Sequence, residues 1–102
     1  MISSEEIKLI ATKIKENFFV KTIILFGSYA YGKPESESDI DLCIITDENK
    51  RKLEIIREIR KLLMTTIKEP IDLLVYKVDE FNERSTIKST LEYKIKNDGI
   101  YL

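Results

Sequence analysis

The sequence predicts an α/β fold: one small mixed β-sheet of about three main strands, with helices packed on it. Two observations carry this. Three apolar runs rich in branched residues, near Lys21–Phe26, Ile40–Thr46 and Ile71–Tyr76, are bounded by turn-forming or charged residues. Around them lie stretches whose apolar residues recur at helical spacing. Helices and strands alternate along most of the chain, which gives layers of helix on sheet.

The first helix is announced by Ser3-Ser4-Glu5-Glu6, in which Ser3 is the cap and Glu6 closes a capping box. Ile7, Ile10, Ala11, Ile14 and Phe18 follow at helical spacing, so this helix is expected to run to about Asn17. After the first strand, Ser28 opens a short helical turn that Gly32 ends. The second strand leads into a charged amphipathic helix from about Glu48 to Ile67. Its predicted buried stripe is Leu53, Ile56, Ile59, Leu62 and Leu63. Pro70 ends that connection before the third strand. Asp79 is expected to cap a short turn through Phe81. A last helix is expected from Thr86 to Asn97, with Ile87, Leu91 and Ile95 inward and Gly99 as its stop.

The chain of 102 residues is expected to form one domain, residues 1–102, with a single core. Its 43% apolar and 34% charged residues are those of a globular protein. No apolar run approaches the ~20 residues of a membrane span, and Met1–Glu6 is no signal peptide. The expected setting is the cytoplasm, with no membrane partner. Histidine is absent and Cys43 is the sole cysteine, which excludes a Ser-His-Asp triad, a Cys-His dyad and a disulfide. Any metal must be held by oxygen, which favours Mg²⁺ or Mn²⁺ over zinc. A net charge of −1 argues against broad nucleic-acid binding. An edge strand leaves room for a homo-oligomer.

Two chemically useful objects sit at strand ends. Gly27-Ser28 follows the first strand, and a backbone turn of small residues can approach a phosphate, with the Ser28 hydroxyl as an added donor. Asp39 and Asp41 open the second strand. Residues two apart in a strand share a face, so the pair can converge on one cation. Ile40, Leu42 and Ile44 then face the opposite side. A long helix joins the second and third strands, which makes them parallel and puts Asp72 at the same end of the sheet. Gly27 reaches that end if the first strand runs antiparallel. The set points to metal-assisted chemistry on a nucleoside triphosphate.

The run Gly27-Ser28-Tyr29-Ala30-Tyr31-Gly32, followed after five residues by Ser38-Asp39-Ile40-Asp41-Leu42, resembles the signature of the DNA-polymerase-β-like nucleotidyltransferases. With Asp72 and the Gly99-Ile100-Tyr101-Leu102 ending, the chain looks like a minimal nucleotidyltransferase over nearly its whole length. The resemblance implies that Asp39, Asp41 and Asp72 bind two Mg²⁺ ions and carry catalysis, with Gly27 and Ser28 holding the β- and γ-phosphates. It implies transfer of AMP from ATP to a hydroxyl. It further implies an antitoxin whose acceptor is a tyrosine of a HEPN-type toxin partner. One departure stands out: Tyr31 occupies a position where the family usually has arginine, and Lys33 is near enough in sequence to substitute.

Other readings stay open beside this one. Gly27-x4-Gly32-Lys33 nearly spells a P-loop, but Pro34 stands where a Ser or Thr would ligate Mg²⁺. A haloacid-dehalogenase-type Asp-x-Asp follows its apolar strand, whereas Asp39 and Asp41 precede theirs. Asp72 alone could be a surface carboxylate, and Tyr29, Tyr31 and Tyr76 are read as packing residues before base-stacking ones. Cys43, on the Asp39/Asp41 face, reads as a small buried hydrophobe. A non-catalytic protein that neutralises a HEPN partner sterically is the main rival function. Transfer to a small molecule such as an aminoglycoside ranks behind it.

Overall fold

A computed structural model of the chain describes residues 2–32, 34 and 38–102. Its elements in order are α1 (Ser4–Asn17), β1 (Thr22–Phe26), α2 (Ser28–Tyr31), β2 (Ile40–Thr46), α3 (Lys52–Leu63), β3 (Ile71–Lys77), α4 (Val78–Arg84), α5 (Leu91–Asp98) and β4 (Ile100–Tyr101). The sheet order is β3-β2-β1-β4. β1 runs antiparallel to β2 and to β4, and β2 runs parallel to β3, so the sheet is mixed, as expected.

Alternation along β2 divides the core between the two faces of the sheet. Ile40, Leu42 and Ile44 join Ile7, Ile10 and Ile14 of α1 and Ile55, Ile59 and Leu63 of α3 in one cluster. Cys43 and Ile45 face the other way and pack with Ile24, Phe26, Phe81 of α4 and Ile95 of α5. The result is a sheet with α1 and α3 on one side and α4 and α5 on the other. The Ser3 hydroxyl accepts the Glu6 N–H at 3.2 Å, and the Glu6 carboxylate accepts the Ser3 N–H at 3.3 Å, which is the capping box read from the sequence.

Four expectations need correction. The helix expected over 48–67 is shorter at both ends. The Lys77 ammonium takes the carbonyls of Glu48 and Lys50, so that segment cannot spend them on a helical turn. At the other end, Leu63 O accepts from both Thr66 and Ile67 at 3.0 Å, a tightened turn that ends the helix. The buried stripe is Ile55, Ile59 and Leu63, spaced four apart, while Leu53 is 66% exposed. The periodicity was compatible with both faces, and packing on the sheet selected the straighter stripe.

The last helix begins at Leu91 instead of Thr86, because the Thr90 hydroxyl accepts the Tyr93 N–H at 3.0 Å and caps it there. Ile87 and Leu91 therefore face solvent, and Glu92 turns inward with Ile95. The short turn expected at Asp79 is the longer α4, which begins directly where β3 ends.

The fourth correction adds a strand. β4 pairs Ile24 with Tyr101 and Leu25 with Ile100, so the sheet has four strands and not three. Two residues of backbone are too short to show a periodic pattern. Gly99 does end α5, its N–H bonding Ile95 O at 2.9 Å, but its smallness serves a further end. A Cβ there would lie 2.4 Å from Ile24 Cγ2 and 2.5 Å from Ile95 O. Gly99→Ala is accordingly expected to pry β4 from β1 and cost about 1–3 kcal/mol. Urea unfolding measures it, and an unchanged midpoint would show that β4 contributes nothing. Among the described residues, no helix is long and apolar enough to cross a membrane.

Candidate active site

Strand register brings the predicted residues to one end of the sheet. Phe26, the last residue of β1, pairs with Asp41, and Asp41 pairs with Asp72 across the parallel β2–β3 ladder. Gly27 follows Phe26 directly, with φ 75° and ψ −158°. That conformation is essentially reserved for glycine, and here it has a second reason. A Cβ on Gly27 would fall 2.0 Å from Asp41 Oδ2, so the carboxylate occupies the space beside the glycine backbone. The small-residue turn and the acidic strand end are in contact.

The turn itself is one helical turn and no more. Ala30 N and Tyr31 N bond Gly27 O at 3.0 and 2.9 Å, and Gly32 N bonds Ser28 O at 3.1 Å. Four residues carry little macrodipole, so any attraction for phosphate here rests on individual N–H groups and the Ser28 hydroxyl. Ser28 is half-buried beside Gly27.

Asp39 and Asp41 each feel the negative charge of Asp72. Asp41 is raised to about 6, first by burial, then by Asp72 and then by Asp39. Asp39 is raised as well, by local desolvation first and Asp72 second. Asp72 is exposed and is the common neighbour of both. Among the described residues, no three such side chains are already gathered at ion-holding distances. The donor set is nonetheless that of a hard divalent cation: only carboxylate oxygens, mutually repelling, on one open rim. A cation there would offset the repulsion from Asp72 and Asp39 that adds to the effect of burial on Asp41. An all-oxygen set of this kind favours Mg²⁺ or Mn²⁺ over zinc.

Cys43, one step further along the same face, is fully buried, and burial pushes its thiol up to about 12. It is a core residue and not a nucleophile. Tyr76 packs edge-on against Phe81 at 5.5 Å and is likewise pushed up to about 12 by burial and then by Glu92. Glu92 is buried to 3% exposure and pairs with the Arg84 guanidinium across the α4–α5 connection. Tyr31 does not reach the core; it lies under Lys94 of α5, whose ammonium stands 4.8 Å from its ring centroid. Lys33, the residue expected to compensate for Tyr31, lies outside the described residues. Sequence reasoning missed Glu92, Lys94 and their partners because each contact spans elements that no local pattern links.

The profile of the polymerase beta nucleotidyltransferase domain matches residues 8–102. The chain belongs to this family. It is a nucleotidyltransferase. Two relatives from Methanocaldococcus jannaschii, provisionally named protein adenylyltransferases, are 34% and 35% identical, each aligned over all of this chain and all of the relative. The protein adenylyltransferase MntA of Thermococcus cleftensis is 27% identical over all of this chain and 98% of its own. Among solved structures, the nucleotidyltransferase fold is matched by a mutant toxin–antitoxin complex MntA–HpeT, with a TM-score of 0.62 and 17% identity over 92% of this chain and 69% of that one. A structure from Sulfolobus solfataricus described as a nucleotidyltransferase matches with a TM-score of 0.60, at 17% identity over 95% of this chain and 76% of that one. The four-stranded mixed sheet of this nucleotidyltransferase is thus the family's fold.

Proposed function

We propose that this nucleotidyltransferase moves AMP from ATP to a hydroxyl of a partner protein, a tyrosine of a HEPN-type toxin, and so acts as the antitoxin of a toxin–antitoxin pair. The observation that carries the reading is Asp41 lying on the Gly27 backbone with Asp39 and Asp72 beside it. Three carboxylates and the N–H groups of a tight turn within one small area support this reading. Relatives named protein adenylyltransferases support the class of acceptor, and the fold likeness to MntA in a toxin–antitoxin complex agrees with the setting.

In this reading, the N–H groups of the turn and the Ser28 hydroxyl bind the β- and γ-phosphates. Asp39, Asp41 and Asp72 would hold Mg²⁺, as two ions. When bound, the metal neutralises phosphate charge and makes the acceptor hydroxyl more acidic. Asp72, exposed at the rim, would help take the acceptor's proton. The acceptor oxygen forms a bond to the α-phosphorus, the bond to the bridging oxygen breaks, and pyrophosphate leaves.

The test is label transfer from α-³²P-ATP and, separately, γ-³²P-ATP into the partner protein, with Mg²⁺ present. Label from the α position alone is expected. Label from the γ position would replace the mechanism with a kinase's. Tyr31 favours a second reading, steric neutralisation, since the turn lacks the family's usual arginine. No transfer from either nucleotide, with partner binding intact, selects it.

A further inference from the structure

The contact between Tyr31 and Lys94 is needed by neither the carboxylate trio nor the core. Tyr31 closes the helical turn that begins at Gly27, and its N–H bonds Gly27 O at 2.9 Å. Asp41 lies on the same glycine. Lys94 arrives from α5, a helix packed on β1, and puts its ammonium over the Tyr31 ring at 4.8 Å. A positive charge therefore stands on the turn that takes the phosphates in the proposed function.

The electrostatics of the surroundings make that charge consequential. Asp39, Asp41 and Asp72 crowd one rim, and Asp98 also lies close enough to Tyr31 to act on it. A triphosphate entering here brings more negative charge, and cations held by the three aspartates offset only part of it. Lys94 is exposed and forms no ion pair with a carboxylate among the described residues. It is held by the face of an aromatic ring, a weak attraction at an exposed position. A charge-assisted bond to a phosphate oxygen is stronger, so the ammonium can leave the ring for a phosphate at little cost. Its flexible stem allows that movement, and the ring keeps it near the turn beforehand.

We infer that Lys94 is a nucleotide-binding residue, a cation delivered from α5 to the terminal phosphates of ATP and held in readiness on the Tyr31 ring. The inference rests on the nucleotidyl-transfer reading, because it takes ATP as the ligand of the Gly27–Tyr31 turn. It assigns to the last helix a part in substrate binding, alongside its packing on the sheet. It also divides the nucleotide: Lys94 senses the β- and γ-phosphates and is indifferent to AMP.

The experiment is calorimetric titration of the full chain with ATP and with AMP, each with Mg²⁺, on wild type and variants. Lys94→Met keeps an apolar stem over Tyr31 and removes the charge, Lys94→Arg keeps the charge, and Lys96→Ala controls for charge lost elsewhere on the same helix. Lys94→Met is expected to weaken ATP about tenfold or more, the worth of one charge-assisted bond. It should leave AMP within twofold. Arginine should restore most of the affinity, and Lys96→Ala should change neither ligand. Thermal melts establish that each variant is folded. If Lys94→Met binds ATP like wild type, or loses ATP and AMP equally, Lys94 is a packing residue and the inference falls while the proposed function stands. If wild type itself binds no ATP, both fall together.

Discussion

Asp41→Asn is expected to lower AMP transfer about a hundredfold or more while making the metal-free protein more resistant to heat at neutral pH. The loss follows from removing one of three carboxylates that would hold the metal, a deeper change than loss of an outlying partner, which alone costs about 10–100-fold. The gain follows from Asp41 itself. Its pKa is raised from 3.8 to about 6 in the folded chain, chiefly by burial and then by Asp72. A raised acid is held more tightly by its proton when folded than when unfolded. Its favourable contribution is therefore fully present below about pH 4 and is lost as pH rises through about 6. Above that, the folded chain carries a carboxylate it would rather protonate.

A shift of this size corresponds to about 3 kcal/mol for an enclosed group. Asp41 is half in water, which reduces the figure to on the order of 1 kcal/mol, or roughly 4–8 °C in Tm. Asparagine has the same shape and no charge, so it keeps the contact with Gly27 without the repulsion. Melts in a chelator at pH 5 and pH 8 read this out: the variant's advantage should appear at pH 8 and shrink at pH 5. Millimolar Mg²⁺ should raise the wild-type Tm and leave the variant unmoved, because only the wild type gains a ligand on folding. A variant that melts below wild type at pH 8 in chelator would contradict this account of Asp41.

Gly27→Ala should prove the more damaging change at the turn, in a manner its size does not suggest. At φ 75° and ψ −158° an alanine pays about 1–3 kcal/mol of backbone strain. Its Cβ also demands the place of Asp41 Oδ2, 2.0 Å away. That atom is the end of a rotatable side chain, so the clash is relieved by turning the carboxylate out of the trio. Activity should then fall as far as it does in Asp41→Asn, although Asp41 is present. Urea unfolding and label transfer, both at a temperature where the variant is folded, separate the two effects. Wild-type transfer by a folded Gly27→Ala would mean that the contact between glycine and carboxylate has no part in the reaction.

These residues also show how much of the molecule was readable beforehand. The capping box at Ser3, the three long strands and the helix between β2 and β3 were legible because each writes its own local pattern. The convergence of Gly27, Asp39, Asp41 and Asp72 at one sheet end was legible from connections: a helical crossover makes neighbours parallel, and direction then fixes which ends meet. The extent of α3 was not, since the carbonyls of Glu48 and Lys50 are claimed by Lys77 from a different strand.

By itself, then, the sequence determined the class of fold, the residues that meet at the sheet end and the kind of chemistry their oxygens permit. Those follow from periodicity, chain direction and side-chain type, which are properties of residues near one another in the chain. Only the tertiary structure decided that Asp41 rests on the Gly27 backbone, that Glu92 and not Leu91 turns inward, that Ile100–Tyr101 completes the sheet and that Lys94 stands over Tyr31. Each of these sets groups of separate elements against each other. Their energies depend on distance in space, and no spacing along the chain encodes that distance.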